Sequence, residues 1–108
     1  MPYNILTIPE FDKNTKTLAK RYKLIKQDLQ EFIKELKDNP RMGTLITNNC
    51  YKVRLANSSI PTGKSKGFRV ITYYIDENSI VYLLTIYSKS DKSTVTDNEL
   101  KDLLNQIK

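Results

Sequence analysis

Histidine and tryptophan are absent from this chain of 108 residues, and cysteine occurs once, at Cys50. Without histidine the commonest general acid–base and the commonest zinc ligand are gone. Any Ser-His-Asp or Cys-His catalysis goes with them. One cysteine excludes an internal disulfide and a cysteine-built metal cage. No apolar run approaches the ~20 residues of a membrane span. No basic stretch followed by a long apolar run opens the sequence, so the expectation is a cytoplasmic protein with no membrane partner. Paired carboxylates are missing too. Asp76 and Glu77 fall in a turn, and Asp97 and Glu99 fall at a helix start. No metal and no other cofactor is expected. An enzyme built from these residues has to work with lysine, arginine, tyrosine and isolated carboxylates.

What is present is a globular balance, 39% hydrophobic and 28% charged, in a chain long enough for one core. Residues 1–108 read as a single domain. The charge is uneven. Lys+Arg number 18 and Asp+Glu 12, for a net charge of +6. Residues 1–51 carry +3 with both signs mixed, and residues 70–108 carry −2. Residues 52–69 hold five basic groups (Lys52, Arg54, Lys64, Lys66 and Arg69) and no acid. A solvated helix face mixes both signs. An acid-free basic stretch spread over strand and loop reads as a site for a polyanion.

The pattern of apolar residues gives the element order. Tyr3 to Ile8 is rich in β-formers and Pro9 ends it, which predicts a strand. Asp12 or Asn14 can cap a helix running to about Tyr22. Tyr22, Ile25, Leu29, Phe32, Ile33 and Leu36 form one apolar stripe on a second helix, which Asp38-Asn39-Pro40 stops. Strand signals follow at Thr44–Thr47, Tyr51–Leu55, Phe68–Ile75 and Ile80–Tyr87. Asn48-Asn49 and Asp76-Glu77-Asn78-Ser79 are the turns. Val70, Thr72 and Tyr74 share one face of their strand, and Arg69, Ile71 and Tyr73 the other. The two long strands are apolar throughout, so both faces of the sheet are expected to be covered. Thr96-Asp97-Asn98-Glu99 is a capping box that starts a helix with the stripe Leu100, Leu103, Leu104 and Ile107. Helices grouped before strands predict an α+β fold.

Three groups of residues bear on chemistry. Gly63-Lys64-Ser65 ends like a phosphate-binding P-loop. However, the required first glycine is Ser58 here and a strand follows, which excludes nucleotide hydrolysis of that type. Lys52 and Arg54 lie two apart on a strand, so they share a face. If that strand pairs with Phe68–Ile75, Arg69 comes near Arg54. Two adjacent arginines with no local acid suit a phosphate, whose oxygens match the guanidinium forks. Tyr87-Ser88-Lys89 ends the last strand. Tyr87 there is either a donor to phosphate or a base-stacking platform, or simply the last core aromatic.

The runs Tyr51-Lys52-Val53-Arg54, Gly63-Lys64-Ser65-Lys66-Gly67-Phe68-Arg69-Val70-Ile71 and Val81 to Lys89 together resemble the RelE/ParE superfamily of bacterial type II toxins. The likeness is to its RelE/HigB-like branch, and it runs from about residue 10 to 104. It implies a RelE-like fold, with two N-terminal helices on an antiparallel sheet of about four to five strands and a C-terminal helix. It also implies a ribosome-dependent, metal-independent endoribonuclease that inhibits translation. Such an enzyme cuts mRNA in the ribosomal A site by attack of a ribose 2′-OH on the adjacent phosphate. The implied partners are the mRNA on the ribosome and a cognate antitoxin protein encoded by an adjacent gene. Operator DNA would be met only through the antitoxin. By the same likeness Lys52, Arg54, Arg69 and Lys89 are catalytic candidates; Tyr87, which does not align with the family's tyrosine, joins them as a residue that could take its place in space. Lys64 and Lys66 match the branch's RNA-binding glycine–lysine loop. Some members carry a catalytic tyrosine near the C-terminal segment, where this chain reads Ser93-Thr94-Val95-Thr96, so the general base is unassigned. A ParE-like gyrase poison and a non-catalytic RNA- or DNA-binding module are the alternative readings.

Overall fold

The computed structural model describes residues 3–61, 67–75, 77 and 79–107. The chain runs β1 (Asn4–Thr7), α1 (Pro9–Ala19), α2 (Ile25–Asp38), β2 (Thr44–Thr47), β3 (Cys50–Leu55), β4 (Phe68–Ile75), β5 (Ile80–Ser88) and α3 (Asp97–Leu104). Five strands form one sheet in the order β1-β5-β4-β3-β2. The α+β architecture read from the sequence is present. Strands β2 to β5 are an antiparallel meander. β1 joins β5 in parallel, which makes the sheet mixed. A parallel partner needs a long crossover, and here everything between β1 and β5 supplies it.

The first helix begins earlier than its polar residues suggest. It starts at Pro9, after an extended Ile8 that makes no side-chain cap. Proline suits the first helical turn because its missing N–H would be unpaired there anyway. Asp12 therefore lies inside the first turn, and Asn14 is spent elsewhere. The Asn14 amide donates to Glu10, and its carbonyl oxygen accepts from Thr85 Oγ1. α1 ends at Ala19, so Tyr22 falls in the connection between the two helices. It is still a core residue, 9% exposed, with its ring edge-on to Phe68 at 5.4 Å. In α2 the stripe Ile25, Leu29, Phe32 and Leu36 is buried as its spacing requires.

Register puts Val53, Val70 and Ile86 in one cross-strand row, all nearly solvent-free, on the face shared with Phe68. The Tyr22–Phe68 contact shows that the N-terminal helices cover this face. A bulge between Ile71 and Thr72 leaves Leu84 without a partner across the ladder. Two close approaches need glycine. Gly43 has φ +99°, and a Cβ there would lie 2.5 Å from the Lys52 carbonyl oxygen. A Cβ on Gly67 would lie 2.2 Å from the Leu55 oxygen. Both glycines thus let the chain pass tightly against β3. α3 starts with the capping box read from the sequence. Glu99 N–H donates to Thr96 Oγ1, and Thr96 N–H to Glu99 Oε1. The expected turn residues Asp76 and Asn78 lie outside the described residues.

Candidate phosphate-binding face

The pairing of β3, β4 and β5 assembles the candidate residues. Arg54 lies directly opposite Arg69, and Arg69 directly opposite Tyr87. Cross-strand partners point to the same face, so three side chains from three strands form one row. The neighbouring row is Lys52, Ile71 and Thr85. The N-terminal helices border both ends of these rows: Asn14 of α1 accepts from Thr85, and Asp28, Glu31 and Glu35 of α2 line a pocket together with Arg54. The row is graded in depth: Arg54 is exposed, Arg69 is 4% exposed and Tyr87 is 7% exposed. Lys52 is half-buried beside it.

Electrostatics follow from that depth. Burial lowers the Arg69 pKa, and the like charge of Arg54 lowers it further, against the partial compensation of Tyr87. Arg69 donates to the Phe68 carbonyl at 3.2 Å. Burial raises the Tyr87 pKa, opposed by the Arg69 charge. The Tyr87 hydroxyl is fully buried and has no hydrogen-bond partner among the described residues. Buried polar groups are rarely left unpaired, and an exception asks for a functional or structural account. A buried cation beside an exposed cation and an unsatisfied hydroxyl is an arrangement that an anion would stabilise.

Lys89 follows β5 directly. Its N–H donates to the Gly67 carbonyl at 3.0 Å, which ties the end of β5 to the start of β4. Its ammonium donates to the Ser93 carbonyl at 3.2 Å. The structure therefore places Lys89 beside the row with its charge turned to the C-terminal connection. Lys64 and Lys66 lie outside the described residues. The foot of their loop is anchored, however. The carboxylate of Asp28, buried on α2, accepts from the backbone N–H of Ser58 at 2.9 Å and from its hydroxyl.

Two neighbours of the row carry no sequence signal. Lys92 lies over the Tyr87 ring at 5.9 Å and is ion-paired with Glu99. The Lys92 bond also holds the Glu99 carboxyl below its usual range. Lys92 sits in an aperiodic connection, seven residues from Glu99, so neither strand nor helix spacing marks the pair. Asp28 reads from the sequence as an ordinary polar position of α2, and only the folded loop reveals its partner. Beside the row a groove of about 500 Å³ is lined by Met42, Gly43, Thr44, Lys52, Val53 and Arg54. Its charges are both basic, and its mouth suits a phosphate backbone.

No family model matches the sequence. Solved structures do. The free RelE toxin of E. coli, in a mutant form, superimposes with a TM-score of 0.66 over 100% of both chains, at 18% identity. A RelBE-type toxin–antitoxin complex from Mycobacterium tuberculosis matches with a TM-score of 0.61 at 19% identity, covering 82% of this chain and 99% of that one. The intact E. coli RelBE toxin–antitoxin complex matches with a TM-score of 0.59 at 22% identity, covering 78% and 93%. The expected architecture and the solved neighbours agree: the chain has the fold of the RelE toxins.

Proposed function

We propose that this protein is the toxin of a bacterial type II toxin–antitoxin pair, and that it works as a metal-independent endoribonuclease on mRNA at the ribosome. The observation that carries the reading is the Arg54–Arg69–Tyr87 row with Lys52 beside it. In the reaction a ribose 2′-oxygen bonds to the adjacent phosphorus and the bond to the 5′-oxygen breaks. The products are a 2′,3′-cyclic phosphate and a 5′-hydroxyl. The 2′-OH loses a proton and the leaving oxygen gains one. Negative charge builds on the non-bridging oxygens in between. Arg54, at the exposed end, meets the phosphate first. Arg69 supplies charge from a site that water screens little, where it is worth more than at the surface. Tyr87 donates its free hydroxyl. Lys52 or Lys89 supports the proton transfers, and Lys64 and Lys66 hold the flanking RNA. An antitoxin partner is supported by the neighbours that are themselves toxin–antitoxin complexes.

The test is Arg69→Ala. Loss of one preorganised cation is expected to slow cleavage by about 10²–10³-fold. Growth arrest on expression should disappear, and primer extension on translated mRNA should lose its cut sites. Wild-type arrest by the Ala variant would refute the assignment. Intact mRNA with accumulating DNA breaks would favour a gyrase poison. Tolerated expression of the wild-type chain would favour a binding module.

A further inference from the structure

The connection between β5 and α3 carries a cation that the proposed reaction leaves unused. Lys92 lies over the Tyr87 ring, 5.9 Å from its centre. Tyr87 therefore has Arg69 as its cross-strand neighbour and Lys92 against its ring. With Lys92 the Arg54–Arg69–Tyr87 row gains a third positive charge, at its buried end. Lys89 is closer in sequence, but its ammonium is bonded to the Ser93 carbonyl at 3.2 Å.

Lys92 is loosely held. Its partner is Glu99, in the first turn of α3. The two side chains are 37% and 42% exposed. An ion pair that open to water contributes little to a fold, so exchanging one anion for another is cheap. Nor does α3 depend on the pair. Its capping box joins Thr96 and Glu99, Leu100 and Leu103 are buried, and Gln106 accepts from the Glu10 N–H at 3.2 Å. The surroundings keep the ammonium near the row when it lets go. Lys92 and Tyr87 share a cavity of about 270 Å³ between α1, β5 and α3 with the carboxylates of Glu10, Glu99 and Asp102. Lysine suits such an exchange, since its three donors sit on a flexible four-carbon stem and fix no single geometry. A phosphate oxygen that meets the unpaired Tyr87 hydroxyl comes within the sweep of that stem.

We propose that Lys92 is a further catalytic residue, which leaves Glu99 to bond a non-bridging oxygen of the phosphate held by Arg54 and Arg69. It adds positive charge at the Tyr87 end of the row, where negative charge builds as the 2′-oxygen attacks. Glu99 is its positioning partner and takes the ammonium back when the product leaves. The proposal rests on the nuclease reading of the row, and a binding measurement keeps the two separable.

Two probes are used with the full chain. Translated mRNA reports cleavage by primer extension. A fluorescein-labelled 2′-O-methyl RNA hexamer, which has no attacking hydroxyl, reports binding by anisotropy. Lys92→Gln is expected to slow cleavage about tenfold, less than a fully enclosed donor would, and to weaken hexamer binding about threefold through one lost phosphate contact. Glu99→Gln is expected to act in the opposite sense and tighten hexamer binding, because glutamine keeps the capping box while releasing Lys92. The double variant should match Lys92→Gln. Lys101→Gln, which removes an exposed charge from the same helix, should match wild type. Circular dichroism checks that each variant is folded. A pair that only fastens α3 predicts losses in both single variants, and that outcome overturns the proposal. A wild-type cleavage rate in Lys92→Gln does so too. A gain from Glu99→Gln that survives in the double variant is equally fatal, since it would come from lost repulsion and not from Lys92. Opposite shifts in hexamer binding without any cut in translated mRNA would sustain Lys92 as a phosphate contact and refute the nuclease reading alone.

Discussion

Replacing Tyr87 by phenylalanine separates the needs of the fold from the needs of the site. The ring is 7% exposed and packs in the core, and phenylalanine keeps it. The hydroxyl is buried with no partner among the described residues. An unsatisfied buried polar group costs about 1–3 kcal/mol, so removing it should stabilise the free chain by roughly 1 kcal/mol after local relaxation. For a chain of this size that is an upward shift of about 4 °C in Tm. A bond from the same hydroxyl to a phosphate oxygen would be charge-assisted, worth about 1.5–3 kcal/mol. Its loss should therefore slow cleavage about 10- to 150-fold.

The two effects have opposite signs, which gives the experiment its force. Thermal unfolding by circular dichroism reads the first, and primer extension on mRNA in a translation extract reads the second. A Tyr87→Phe chain that melts lower than wild type would show that the hydroxyl is satisfied in the free fold. A chain that melts higher and cleaves at the wild-type rate would return Tyr87 to the role of a core aromatic. Its neighbour Arg69 would then act without it.

The elements were legible where periodicity was strong. The α2 stripe, the two long strands and the Thr96–Glu99 capping box all follow from spacing within one element. The start of α1 was less legible because proline both ends a strand and opens a helix, and Pro9 does the second. The parallel pairing of β1 is a long-range fact, since its partner lies more than 70 residues away and no local pattern encodes it. At the site, the Arg54–Arg69 pairing was foreseeable from a hairpin between β3 and β4. The place of Tyr87 beside Arg69 depends on the β4–β5 register past a bulge, which alternation alone does not fix. Lys92 and Asp28 were illegible because each acts through a loop.

Two further perturbations probe the frame around the site. Asp28→Ala removes both acceptors of Ser58, an exposed residue whose N–H and hydroxyl then turn to water. It should cost about 1–2 kcal/mol in urea unfolding, and an unchanged midpoint would mean that the loop foot is held by other contacts. Cys50→Ala should change the alkaline limb of stability, and the sign is fixed by the thiol's surroundings. Cys50 is solvent-free, and burial pushes its pKa up from 9.0 to about 11. Between those values the unfolded chain has released the thiol proton and the folded chain still holds it. Stability therefore falls as pH rises from 9 towards 11, by about 1.4 kcal/mol per unit where the difference is fully developed. Below pH 9 the thiol contributes no slope. The alanine variant lacks this loss, so its stability curve should be flatter than wild type above pH 9 and parallel to it below. Parallel curves through pH 11 would refute the burial argument for Cys50.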